Sequence, residues 1–176
     1  MKSFILSIVF SVFAWSAAFA GGVGHTEFAL LPYFKIQNAL ASDDLASAKR
    51  AASSLAESGQ ACSANGGSCC EGVGADAAAI VESADIASAR IAFKELSDKL
   101  IAVIEEDGLV HGQVYKMYCP MAFDNTGAAW IQDNENLLNP YYGASMLRCG
   151  MQQAAIGKPV EGQNDQAEDP HAGHGH

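Results

Sequence analysis

Apolar residues recur at helical spacing in several stretches of this chain. Ile86, Ala89, Phe93, Leu96, Leu100 and Val103 follow one another in alternating steps of three and four, the seam of a bundle helix that Gly108 stops. Leu45, Ala48, Ala52 and Leu55 form a second stripe, opened by Ser42-Asp43-Asp44 and closed at Gly59. Ser42 suits a helix cap, and the acids beside it favour the positive end of the helix dipole. Phe28, Leu31, Phe34 and Leu40 make a third stripe, capped at Thr26. Pro32 lies in its first turns or marks its true start. A further helical region begins near Ala75 and breaks near Ser83. The connections are short, which favours antiparallel neighbours.

After Gly108 the pattern changes. Val110, Val114 and Tyr115 are β-branched or aromatic, so a short extended piece fits there. From Cys119 to Gly150 the chain is interrupted by Pro120, Asn125, Gly127, Asn139, Pro140 and Gly143, with short helical turns expected near 133–138 and 144–147. The fold class expected is all-α: a three- or four-helix up-down bundle with an irregular C-terminal Cys/Met-containing segment. The domain spans 25–151, with 109–151 as that segment. Residues 152–176 are polar and acidic and end in His171, His174 and His176, a composition suited to a disordered tail.

The first twenty residues carry Lys2, an apolar run from Phe4 to Trp15, and Ala18-Phe19-Ala20, the form of a cleavable export signal. The run is short for a membrane span of about 20 residues. Gly21 rather than Cys follows the cleavage point, so no lipid attachment is suggested. Removing residues 1–20 takes away one lysine and no acid, moving the net charge from -10 to -11. A surface of that sign repels nucleic acid and anionic membranes. The expected location is the periplasm or another exported compartment, with no membrane attachment after cleavage.

Export sharpens the reading of the five cysteines, Cys62, Cys69, Cys70, Cys119 and Cys149. Oxidising compartments favour disulfides, yet an odd number leaves at least one thiol without an internal partner. Cys62, Cys69 and Cys70 fall in a glycine-rich stretch, 59–74, where one loop disulfide plus a spare thiol is expected. The chemistry of most interest lies later. Cys119-Pro120-Met121 offers a thiol and a thioether across a stiff turn. Met146 and Cys149, three apart, share a face if they lie on one helical turn. Together Cys119, Met121, Met146 and Cys149 are a four-sulfur set, which suits Cu(I) better than zinc. The plain alternative is a Cys119–Cys149 disulfide with both methionines filling core; closing about 30 residues would contribute roughly 3–4 kcal/mol. His111 could add a nitrogen if the fold returns it, and the three tail histidines a loose chelate. Met117 and Met151 read as core or chance. No phosphate loop, nucleophile elbow or basic–aromatic stripe is present, so neither an enzyme nor a nucleic-acid binder is expected.

Several phrases resemble a known family. They are Tyr33-Phe34-Lys35-Ile36-Gln37-Asn38-Ala39-Leu40-Ala41-Ser42-Asp43-Asp44, Ala92-Phe93-Lys94-Glu95-Leu96-Ser97, Tyr118-Cys119-Pro120-Met121-Ala122, Trp130, Asn139-Pro140-Tyr141-Tyr142-Gly143 and Met146-Leu147-Arg148-Cys149-Gly150. Over roughly 30–151 the chain resembles the exported helical domain-of-unknown-function family 3347, found alone or fused to CusB-type copper/silver efflux adaptors. The resemblance implies a small helical bundle, heavy-metal handling, an efflux adaptor as partner, and Cys119, Met121, Met146 and Cys149 as metal-site positions. Trp130 and Tyr141 would then pack the segment and shield the site. The expected function is an exported soft-metal binding protein, for copper as Cu(I), in resistance or delivery. The rival is a non-metal interaction module of the cell envelope stapled by Cys119–Cys149. A third reading is a thiol redox protein using Cys69 and Cys70.

Overall fold

The computed structural model describes residues 27–64, 72–109 and 111–158, without the side chains of 27 and 61–64. The expected export signal, Cys69, Cys70, the Cys62 side chain and the histidine tail lie outside the described residues. Four long helices form two hairpins: α1 (Glu27–Ala41) with α2 (Leu45–Ala64), and α3 (Val73–Glu82) with α4 (Ile86–Asp107). α2 packs on both α1 and α3, and α3 on α4.

The stripes found their core, with instructive offsets. On α4 Ala89, Phe93, Leu96 and Leu100 are buried as expected, but Ile104 takes the place of Val103. A straight helix turns once per 3.6 residues, so a strict three-four pattern drifts off the seam within a few turns. On α1 the buried face is Ala29, Tyr33, Ile36 and Leu40, whereas Leu31 is 64% exposed. Pro32 sits inside α1. α2 continues through Gly59 to Ala64, so Cys62 belongs to its last turns rather than to a loop.

The cap of α2 lies two residues beyond the position expected. Asp44, not Ser42, caps α2, accepting from the Ser47 amide at 2.9 Å. Asp85 and Ser88 make a reciprocal capping box at α4, satisfying two amides that the first turn leaves unpaired.

The fold class differs from expectation: the chain is mixed α/β, not all-α. A three-stranded antiparallel sheet follows the helices: β1 (Gln113–Cys119), β2 (Ala128–Gln132) and β3 (Met151–Gly157), in the order β2-β1-β3. The extended piece foreseen near Val114 is the central strand. β3 also carries regular structure to Gly157, beyond the domain end drawn at 151. The strands hide well. A bulge between Lys116 and Met117 shifts the phase of β1, so its buried residues are Val114, Met117 and Cys119 rather than every second one. β2 and β3 are rich in alanine and glutamine, which have little strand preference.

Two short elements complete the fold: α5 (Ala122–Asn125) between β1 and β2, and a 3-10 turn, Gly143–Ser145, before β3. α5 is in fact a left-handed turn, with φ of 51, 56 and 65° at Phe123, Asp124 and Asn125. Such residues cost roughly 1–2 kcal/mol each when L-configured. Here the Gly127 amide donates to the Ala122 carbonyl at 2.9 Å, and the Phe123 ring packs edge-on to Tyr141 at 5.2 Å.

A chain of rings joins helices to sheet. Tyr33 stacks on Phe93 at 5.0 Å, Phe93 meets Tyr141 at 6.0 Å, and Tyr141 meets Trp130 edge-on at 5.7 Å. The Tyr33 hydroxyl shares a hydrogen bond with Ser97 at 2.7 Å and accepts the Ile131 amide of β2 at 3.2 Å.

Candidate metal centre

Register brings the two sulfur motifs together. β1 and β3 flank each other with Tyr118 opposite Met151. Cys119 follows Tyr118, and Cys149 precedes Met151 by two, so the end of one strand faces the approach to the other. The segment 133–150 makes this possible by crossing from β2, on one edge, to β3, on the other. The Cys119 and Cys149 Sγ atoms stand 3.2 Å apart as free thiols. The Cys149 Sγ lies 3.8 Å from the Met121 Sδ.

Three of the four expected sulfurs therefore converge. Cys119 is fully buried at the end of β1, and Cys149 is half-buried. Met121 is 45% exposed, which does not suit a core-filling side chain. Met146 is half-buried and serves the turn through its backbone, its carbonyl accepting the Cys149 amide at 3.0 Å. Its sulfur is not among the three in contact. Met117 is fully buried core, as expected, and Met151 is 55% exposed. His111 sits before β1 begins, and the six strand steps from Gln113 to Cys119 alone span about 20 Å, too far for His111 to share an ion with Cys119.

Asn139 positions Cys149, a role the sequence motif did not announce. It is fully buried, and its Nδ2 donates to the Cys149 carbonyl at 2.7 Å while its Oδ1 accepts the Tyr141 amide at 2.9 Å. Its own amide donates to the Leu147 carbonyl at 2.8 Å. Gly150, with φ of 139°, lets the chain pass so near the Tyr118 carbonyl that a side chain there would collide with it. At the other end of the segment, Arg90 donates to the Pro140 carbonyl at 2.8 Å and to Asp43 at 2.6 Å. Asp43 accepts in turn from the Ala144 amide at 2.9 Å. Gln37 donates to the Leu138 carbonyl at 2.7 Å. The segment is thus tied to α1, α4 and the turn between α1 and α2. Trp130 and Tyr141 do pack it, as expected of them.

The electrostatics follow from proximity. The Cys149 thiol is pushed above its ordinary range, first by its hydrogen bond with Cys119, then by desolvation and by the neighbouring thiol's charge. The Tyr142 phenol is also raised, by desolvation and then by the two cysteines, and its hydroxyl donates to the Met121 carbonyl at 2.5 Å.

The donor set can be tested for fit. Metal–sulfur bonds of about 2.3 Å in tetrahedral geometry hold sulfurs about 3.8 Å apart. The Cys149–Met121 pair already has that spacing. The thiol pair would open by about 0.6 Å to hold an ion, or close by about 1.2 Å to bond. Among the described residues, no group of three or more His, Cys, Asp or Glu side chains could hold a metal ion, so a cation here would rest on sulfur.

A family model described as a protein of unknown function, DUF3347, matches residues 29–112. The match covers α1 to α4 and ends before β1, so the sulfur motifs at 119–121 and 146–149 lie beyond it. No curated protein and no solved structure matches the chain.

Proposed function

We propose, for a chain that over residues 29–112 belongs to the DUF3347 family, that it is an exported protein binding one soft monovalent cation, with Cu(I) as its cargo. Cys119 and Cys149 act as thiolate ligands and Met121 as a thioether ligand. Met146 is the fourth donor if its side chain swings toward the trio. The observation that carries this reading is the approach of three sulfurs from segments 28 residues apart, the farther contact being 3.8 Å. Thiolate and thioether donors without nitrogen or carboxylate favour Cu(I) or Ag(I) over zinc. The exposure of Met121 leaves the ion a way in and out, which suits delivery or resistance rather than a permanent structural metal. The N-terminal signal supports a periplasmic setting, where a heavy-metal efflux adaptor is the partner proposed. Among the described residues no helix is long and apolar enough to cross a membrane.

Native mass spectrometry under reducing conditions tests it, with Cu(I) supplied from a chelator of known affinity. The wild type should hold one ion. Met121→Ala should weaken it by more than about tenfold, the scale of a lost metal-site interaction. A similar loss in Met146→Ala supports four sulfurs, and no loss there leaves three. Retention in both variants removes thioether ligation.

The rival reading, an envelope interaction module stapled by Cys119–Cys149, draws on the same 3.2 Å separation of thiols. It expects no ion under reducing conditions and a lower melting temperature on reduction.

A further inference from the structure

The two thiols differ in access, and the difference gives the pair a direction. Cys119 is fully buried beneath the 133–150 segment, whereas Cys149 is half-buried beside the exposed Arg148. We infer that Cys149 is the entry thiol of a thiol–disulfide exchange site, that Cys119 resolves it, and that the exchange empties the cation site. Only the last part rests on the metal reading above.

The chemistry balances as follows. The Cys149 thiolate attacks one sulfur of an external disulfide, R–S–S–R, forming Cys149–S–S–R and expelling one thiolate, which takes up a proton. Cys119, already 3.2 Å from the Cys149 sulfur, then attacks that sulfur and expels the second thiolate. Two protein thiols have lost two protons and two electrons, and the external disulfide has gained them. A disulfide needs about 2.05 Å between sulfurs, so closure draws the pair together by a little over an ångström. The direction cannot readily be reversed, because an attacking thiolate must meet the external disulfide in line and the Cys119 sulfur has no open side. Once closed, the pair offers no thiolate. Only thioether sulfur remains, a weak donor without charge.

The test uses the full chain with Cys62→Ser, Cys69→Ser and Cys70→Ser, so that only this pair reacts, and oxidised glutathione as the disulfide. Mass spectrometry should show an internal disulfide with little mixed adduct. Adding Cys119→Ser should trap one glutathione on Cys149; Cys119→Ala is the second variant should serine unsettle the buried position. With Cys149→Ser, Cys119 should react at least about tenfold more slowly, as access dictates. Equal rates at the two thiols, or an adduct on Cys149 that persists while Cys119 is present, would overturn the assignment. Ag(I) binding is then compared in the reduced and oxidised forms. Loss of at least about a hundredfold on oxidation supports control of the site. An oxidised form that binds as well as the reduced one overturns control. If the reduced form binds no silver, the metal reading fails, and the order of thiol reactivity still stands or falls on the adducts.

Discussion

Between Glu27 and Asp107 the buried surface is largely hydrocarbon: Ile36, Leu40, Leu55, Ile80, Leu96, Leu100 and Ile104 meet across the two hairpins. Between Gln113 and Gly157 the interior is different. It holds Trp130 and Met117, but also the side-chain amides of Gln132 and Asn139, hydrogen-bonded to neighbouring backbone and, for Gln132, to the Trp130 indole. The exceptions in the helices point the same way. Gln37, Ser97 and the Tyr33 hydroxyl are buried polar groups of the helices, and they lead toward the second region: Gln37 to Leu138, Ser97 through Tyr33 to Ile131. The helices are held by non-directional burial, which tolerates adjustment. The sheet and its crossing segment are held by directional bonds, which fix atoms to a few tenths of an ångström. A site made of three sulfurs needs the second kind of support, on a platform provided by the first.

The sharpest way to break the contrast is at Phe93, where the two regions share a side chain. Phe93 is fully buried on α4 and touches both Tyr33 and Tyr141. Phe93→Ala should cost about 3–5 kcal/mol, the range for truncating a buried aromatic. Denaturant unfolding followed by far-UV circular dichroism and by Trp130 fluorescence should show both probes shifting together. Separate transitions would mean that the sheet region unfolds alone, and the platform picture would be wrong.

Asn139→Ala separates the regions. It leaves the buried Tyr141 amide and the part-buried Cys149 carbonyl without their partner, a loss of about 1–3 kcal/mol for a buried group left unpaired. Its larger consequence should be local. Helical circular dichroism at 25 °C should stay near wild type, while Cu(I) affinity falls by at least about tenfold, as when a group behind a metal ligand is removed. Equal affinity would show that Cys149 keeps its place without the side-chain bond.

The contrast also explains what was legible beforehand. Helix periodicity is local, so Ala89, Phe93, Leu96, Ala48, Ala52 and Leu55 could be placed in the core from spacing alone. The sheet was missed because its cause is not local. Gln113–Cys119 is a strand by virtue of partners up to 44 residues on, as Gln113 pairs with Gly157; Val114 and Tyr115 mark it as extended, but its bulge hides the alternation of a sheet strand. The sulfur set was legible as residue types at tempting spacings. Its geometry was not, because Met146 and Cys149 lie on an irregular turn rather than on the helical turn imagined. Cys149 reaches Met121 through strand register. Asn139 was seen only as part of a phrase, since nothing in a sequence marks which asparagine is buried.

The smallest effect tests the latch between the regions. Asp43 accepts from the Ala144 amide and from Arg90, in that order of influence, and these bonds hold its carboxyl below its ordinary value of 3.8. A carboxylate with a depressed folded value stabilises the fold above the ordinary value, and loses that contribution as pH falls through the depressed one. Asp43 is 42% exposed at its side chain, so solvent screens the pair. Its worth is then about 0.2–1 kcal/mol rather than that of a buried ion pair. Asp43→Asn should be less stable than wild type by that amount at neutral pH. The two melting curves should converge as pH drops below 3.8. A gap that stays constant with pH would assign the latch to hydrogen bonding that asparagine loses at any pH, not to charge. A gap that widens on acidification would mean the carboxyl is not the group that responds. Either way the Gly143–Ser145 turn is what should loosen first, because Gly143 passes so close to Asp43 and Arg90 that no larger residue fits between them. Amide exchange at Ala144 reads that loosening directly, while exchange in α4 should stay unchanged if the loosening is confined to the turn.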